Sequence, residues 1–203
     1  MNFLSHLLLS GENPEVKFGN FIGDSVKGHQ FEKFPENIQK GILLHRFIDS
    51  YTDKHTLVKA SKKLLKPKFG HYRGVIIDVF FDHYLSVQWA DYCKQSIPEF
   101  LSDFEVNFND YKHLLSPSSL NFYSRFIELN YMANYAYRSG IEHTLLGLEK
   151  RIRYRIPLAE AMDDFDKNYV AFEDKFGCFF PELKTQCELK RLNELKPNNF
   201  NEH

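Results

Sequence analysis

The sequence predicts an all-α fold, a single-domain helical bundle, and three observations predict it. Apolar residues recur at helical spacing along the whole chain, while alternating strand patterns are scarce. The chain has 203 residues and is 43% hydrophobic, enough for one sizeable core and one domain. Aromatic content is 16%, with 20 Phe and 11 Tyr, and side chains that large will dominate such a core.

Each element follows in order. Residues 2–10 read as a short helix stopped by Gly11. Residues 11–34 contain five glycines or prolines and are expected to form a loop with a helical turn, carrying GNFIGD at 19–24. Pro35 is placed to open a helix at its first turn, running to about Tyr51. Residues 56–66 form a basic amphipathic stretch stopped by Pro67, and a longer helix follows over 72–94. Further helices are expected at 98–108, 117–138, 141–155, 158–175 and 181–195, with breaks at Gly140 and Pro157. The domain is read as 1–196, and the polar tail 197–203, PNNFNEH, is expected to fray.

Composition excludes several functions. The formal net charge of −1 gives no whole-protein attraction to nucleic acid or to an anionic membrane. The basic residues are balanced by acids and no nucleic-acid recognition motif occurs. Cys93, Cys178 and Cys187 show no CxxC spacing, fit a reducing compartment and are read as core residues. Leu7–Leu9 lack a basic segment before them, and no apolar run is long enough for a membrane span, so the expected location is cytoplasmic.

The informative fact is where the ionisable residues fall. In HRFIDSYTDKH at 45–55, His45 and Asp49 stand four apart and share the helical stripe of Ile38 and Ile42. Asp53 and His55 follow where that helix should end. In DVFFDH at 78–83, Asp78 and Asp82 stand four apart beside Val75, Leu85 and Trp89, and His83 adjoins Asp82. Inward-facing charges are costly unless paired or metal-bound. Two carboxylates on one apolar helix repel, and a divalent cation is the simplest compensation. Imidazole with carboxylate suits Mn, Fe or Zn in an open site. His6 lies in the first helix, Asp24 closes GNFIGD, and six of nine histidines occur by residue 83. Either pair alone reads as structural. Two pairs, an adjacent Asp–His and further acids together read as a metal site. His29 and His71 lack such company and are taken as surface or supporting residues.

The segments MNFLSHLLLS, GNFIGDSVKG, GILLHRFIDSYTDKH and YRGVIIDVFFDHYLSVQW occur in order over residues 1–95, with a weaker continuation, NYMANYAYRSGIEHTLLGLEKRIR, at 130–153. Together they resemble the acyl carrier protein phosphodiesterases, regarded as divergent relatives of the HD phosphohydrolases. The resemblance implies an HD-domain-like bundle. It also implies a phosphodiesterase that releases 4′-phosphopantetheine from holo acyl carrier protein, with a divalent cation, Mn²⁺ before Fe²⁺, Mg²⁺ or Zn²⁺. HD proteins place His before Asp, whereas the adjacent pair here is Asp82–His83.

On this reading His45, Asp49, Asp78, Asp82 and His83 form the ligand pool, and Asp24 is a further ligand or a base that positions water. Asp53 and His55 are candidates for ligand orientation or acid–base work, His55 as proton donor to the leaving serine oxygen, and His6 for orienting a ligand or touching phosphate. An acidic carrier protein calls for a basic docking face. Lys59, Lys62, Lys63, Lys66 and Lys68 make one candidate, and Lys150, Arg151, Arg153 and Arg155 the other. Phe18, Phe21 and Tyr84 are candidates for lining the path of the pantetheine arm. Two rival readings are an HD-type hydrolase of nucleotides or other small phosphoesters, using the same ligands, and a non-enzymatic helical adaptor.

Overall fold

The computed structural model describes residues 2–152 and 156–194, all of them in helices, short 3₁₀ turns or connecting loops, with no strand among the described residues. The tail and Arg153–Arg155 lie outside them. The chain is an all-α single domain, and its buried apolar residues form one continuous core.

Helix α1 spans Phe3–Leu9 and buries Leu4, Leu7 and Leu9. Helix α2 spans Pro14–Ile22, where a loop was expected. The Asn13 side chain accepts from the backbone of Glu15 and Val16, and Pro14 fills the first turn, so a standard N-terminal signal starts this helix. Gly19 in this helix and Gly41, farther along the chain, are there for packing. A Cβ at Gly19 would stand 2.2 Å from the Ile38 carbonyl oxygen, and one at Gly41 would stand 2.2 Å from that of Val16. Helix α3, Glu36–Lys54, therefore crosses α2 at backbone contact.

Helix α4, Thr56–Lys63, is capped by His55, whose Nδ1 accepts from Leu57 N at 3.3 Å. Helix α5, Arg73–Val87, ends earlier than expected and passes into a 3₁₀ turn at Trp89–Asp91. Helix α6, Ile97–Tyr111, begins with a reciprocal Ser96–Glu99 capping box. Helix α7, Pro117–Glu128, stops at left-handed Asn130 (φ 48°) rather than continuing to 138. Helix α8 is Arg138–Glu149, and Gly140 lies inside it, where a Cβ would meet the Asn134 carbonyl oxygen at 1.9 Å. Helices α9, Ala161–Lys167, and α10, Tyr169–Glu194, replace the two expected at 158–175 and 181–195. Pro181 sits inside α10 and cannot donate to the carbonyl four residues back. The buried row Phe172, Phe176, Phe179, Phe180 and Leu183 holds the helix in place. Burial contributes about 1.5–3 kcal/mol for each such side chain, comparable with the proline's cost of about 3 kcal/mol.

No helix among the described residues is long and apolar enough to cross a membrane. Of the cysteines only Cys187 is buried; Cys93 is partly covered and Cys178 is exposed, so the core reading holds for one of three. Phe18, Phe21 and Tyr84 are fully buried in the core and do not line a ligand path.

Candidate metal centre

Helices α1, α2 and α3 converge on one point. His6 of α1 and His45 of α3 are buried, and their rings stack with centroids 4.1 Å apart. Fully buried Asn20 of α2 sits behind both. Its amide nitrogen donates to the His6 carbonyl at 2.9 Å, which fixes the amide's orientation, since a carbonyl only accepts. Asn20 Oδ1 then accepts from His6 Nδ1 at 2.8 Å, and the Asn20 carbonyl accepts from His45 Nδ1 at 2.8 Å. Both Nδ1–H groups are thereby fixed, and each ring turns its Nε2 forward.

Those nitrogens face carboxylates. His6 Nε2 is 3.3 Å from Asp49 Oδ1, and His45 Nε2 is 3.2 Å from Asp49 Oδ2 and 3.4 Å from Asp24 Oδ1. His45 Nε2 is buried and has no hydrogen-bond partner, so these neighbours are close but misaligned for a proton between them. A cation fits this arrangement. Two atoms each about 2.1 Å from one ion are roughly 3.0 Å apart at a right angle and 3.4 Å apart at the tetrahedral angle. One ligand atom each from His6, His45 and Asp49 lies within 4.8 Å of the others. Gly23 makes room for the group: a Cβ there would be 2.3 Å from His45 Cγ.

The electrostatics of the side chains themselves agree. Burial pulls the His45 pKa down, but Asp24 and Asp49 more than offset it and hold the ring up at about 9. Burial and the neighbouring His45 charge push His6 below its usual value. Burial would raise Asp49, yet the two imidazoles hold it far below the carboxylate range. The neighbouring His45 lowers Asp24. One proton is thus shared among groups that could instead hold an ion.

The centre opens into a cleft of about 460 Å³. Asp24, Asp49, Asp53 and Asp78 line it, with Thr52, Ser25 and Asn2 beside them, and Arg151 is the one cation in its wall among the described residues. Arg151 stacks on Phe122 with its guanidinium 4.6 Å from the ring centroid.

The expected site residues divide accordingly. His45, Asp49, Asp24 and His6 meet, with His6 facing the carboxylates as a ligand would rather than standing behind them. Asp78 and Asp53 stand in the cleft wall, and Asp53 pairs with Lys62 at 2.8 Å. Asp82 and His83 are corrections, since both are taken up elsewhere. Fully buried Asp82 accepts from the backbone of Asn2 (3.3 Å) and Leu4 (3.0 Å) and from the Ser5 hydroxyl, tying the start of α1 to α5. His83 has Tyr135 O at 2.9 Å from Nδ1 and Tyr169 Oη at 3.0 Å from Nε2, so neither nitrogen is available to an ion. His55 is a third correction: it caps α4, meets Glu182 at 3.1 Å and lies in a separate groove with Phe47 and Tyr51. His29 and His71 are exposed. Sequence reasoning missed Asn20; it lies inside the quoted GNFIGD, but nothing in its spacing marks it.

Of the basic residues, Lys62, Lys66 and Lys68 pair with Asp53, Asp163 and Glu160, while Lys59 and Lys63 are exposed. Arg151 reaches the cleft, and Arg153 and Arg155 lie outside the described residues.

Comparison with known proteins adds the family. A family model described as acyl carrier protein phosphodiesterase matches residues 1–183. Proteins named acyl carrier protein phosphodiesterase from Enterobacter sp. (strain 638) and Escherichia coli O157:H7 (strain EC4115) are each 30% identical to it. Each alignment covers 95% of this chain and all of the relative. No solved structure matches. Matched across most of its length, with the His6, GNFIGD and HRFID segments all inside the match, this chain belongs to the acyl carrier protein phosphodiesterase family.

Proposed function

We propose that the protein is a metal-dependent phosphodiesterase that removes 4′-phosphopantetheine from holo acyl carrier protein, and that the cleft onto which the His6, His45 and Asp49 centre opens is its active site. The observation that carries this reading is the pair of buried imidazoles whose Nδ1–H groups are both fixed by Asn20, so that both Nε2 atoms and two carboxylates face one point.

His6, His45 and Asp49 would hold a divalent cation, with Asp24 completing the set or serving as base. Manganese is the first expectation, with Fe²⁺, Mg²⁺ and Zn²⁺ as the alternatives. Such an ion lowers the pKa of water and offsets charge on phosphate oxygens. The chain's own groups do the rest. Arg151 supplies a guanidinium opposite the cleft's four carboxylates, and draws the diester's anionic oxygens to that wall. Asp24, still open to solvent, is placed to accept a proton from an incoming water at its carboxylate. Phe3, Val75 and Leu148 give the cleft an apolar side against which the arm's hydrocarbon can lie. His55 lines the separate groove beside Phe47 and Tyr51 and does not line the cleft, so it is not assigned the proton-donor role. Kinship with the HD phosphohydrolases, if present, would rest on His45 and Asp49, His before Asp, rather than on Asp82–His83.

The test is direct. Metal-stripped protein is given holo acyl carrier protein with each of Mn²⁺, Fe²⁺, Mg²⁺ and Zn²⁺, and the carrier's mass is followed. Loss of the prosthetic arm in at least one arm of the experiment supports the proposal. An unchanged carrier in all four, with phosphate released from a nucleotide panel, would reassign the substrate.

A further inference from the structure

The cleft does not end at Arg151. The same Arg151 and Phe122 form the near wall of a second depression, a groove of about 380 Å³ between α7 and α8. Its lining is opposite in character to the cleft. It contains Arg125, Lys150 and Arg151, aromatic and aliphatic surface from Phe126, Leu129 and Tyr131, and, among the described residues, no carboxylate. Arg125 and Lys150 form no ion pair with any described acid. Leu129, at the groove's edge, is half exposed. The rival basic surface on α4 is different: three of its five lysines already pair with the chain's own acids.

We infer that the α7–α8 groove, centred on Arg125 and Lys150, is the surface on which an acidic carrier protein docks, delivering its phosphodiester past Arg151 into the cleft. This rests on the proposed function and specifies its partner surface. Three arguments carry it. Cations without intramolecular partners lose no existing contact when an acidic surface arrives. Apolar area among them gives the docked complex something to bury besides charge. Contiguity through Phe122 and Arg151 places the docked protein beside the centre, as a macromolecular substrate with its scissile bond on a short arm requires.

The test measures docking without turnover. Dye-labelled holo acyl carrier protein is titrated with the metal-stripped protein, and binding is read by fluorescence anisotropy at about 50 mM and about 500 mM salt, where screening differs strongly. The double reversal R125E/K150E is expected to raise Kd at low salt by about tenfold or more, with the difference shrinking at high salt. The milder R125Q/K150Q should give a smaller loss of the same sign, and it remains informative if the reversal disturbs folding. The control reversal K59E/K63E should stay within about twofold of wild type. An unchanged Kd for R125E/K150E, or an equal loss in K59E/K63E, overturns the assignment, as does equal competition from a single-stranded oligonucleotide. The two readings fail separately: wild type that binds the carrier through this groove but never releases its arm refutes the function alone. Turnover with a normal KM in R125E/K150E refutes the docking surface alone.

Discussion

Helices α3 and α5 carry the same residue types in the same setting. Each places a histidine and a carboxylate among apolar neighbours, and each side-chain pair is turned toward α1 or the core. On α3 the carboxylate, Asp49, keeps an exposed edge on the cleft, and the imidazole, His45, has one ring nitrogen left without a partner. On α5 every polar atom of Asp82 and His83 found a partner within the protein: three donors for the carboxylate, one group for each ring nitrogen. What distinguishes the proposed ligand set from the structural set is therefore the remaining unmet valence and its access to solvent, not the residue types.

The comparison breaks most sharply under substitution. His45→Ala or Asp49→Ala should lower turnover of the holo carrier by about a thousandfold or more, because each removes a ligand of the proposed ion, while the circular dichroism spectrum and Tm stay close to wild type. Asp82→Asn should keep activity within about tenfold. If instead Asp82→Asn abolished activity at full metal occupancy while the Asp49 variant turned over normally, the centre would have to be moved from α3 to α5.

Asn20 sharpens the same contrast, because it gives the α3 site its unmet valence. It takes the Nδ1 proton of both histidines, one on its side-chain oxygen and one on its backbone carbonyl. Asn20→Ala removes only the His6 partner and leaves the carbonyl for His45. A loss of about 10–100-fold in metal affinity is expected, smaller than for a ligand itself, with isothermal titration of Mn²⁺ as the measurement. Rescue of that affinity by Asn20→Asp, which keeps an acceptor for His6, would distinguish orientation of the ring from simple loss of packing.

The sequence showed the helical class and one half of the centre, and the reason is periodicity. His45 and Asp49 are local to one helix, so their spacing alone puts them on one face. That His6 and Asp24 join them depends on α1 and α2 crossing α3, a contact set by Gly19 and Gly41 through backbone proximity that no spacing rule encodes. Asp82 and His83 misled because their partners, Asn2 to Ser5 and Tyr135, come from distant parts of the chain. The loop expected at 11–34 was misjudged for a different cause. Glycines needed for helix–helix contact look, in sequence, like glycines needed for turns.

Removing the α5 carboxylate should cost stability rather than activity. Asp82→Ala leaves the Asn2 and Leu4 amides and the Ser5 hydroxyl without an acceptor at a buried helix start. A loss of about 2–4 kcal/mol is expected, read from the denaturant midpoint. Activity per folded molecule should change much less than in the Asp49 variant, and a full loss of turnover in folded Asp82→Ala would show that the α1 anchor also sets the position of His6.

The smallest effect is a matter of pH. Burial raises the Asp82 pKa from 3.8 to about 6, with the Ser5 and backbone bonds limiting the rise. A raised carboxylate pKa means that the folded state binds the proton more tightly than the unfolded state, so stability from this group is greatest in acid and declines as pH climbs between those two values. The decline is on the order of 3 kcal/mol at most, and other titrating carboxylates will oppose it, so the measurement is the difference from Asp82→Asn, which cannot titrate. Wild type should lose stability relative to Asp82→Asn as pH rises through that window, with the gap constant above about pH 7. The α3 centre runs the other way. Its shared proton, held on His45 up to about pH 9, is displaced when a cation enters, so Mn²⁺ affinity should climb with pH and level off near that value. Opposite pH responses, stability falling at α5 and metal affinity rising at α3, are what the two settings of the same chemistry require. A Mn²⁺ affinity flat from pH 6 to 9 would mean that His45 carries no second proton before the ion binds, and that the carboxylates facing it do not hold its charge.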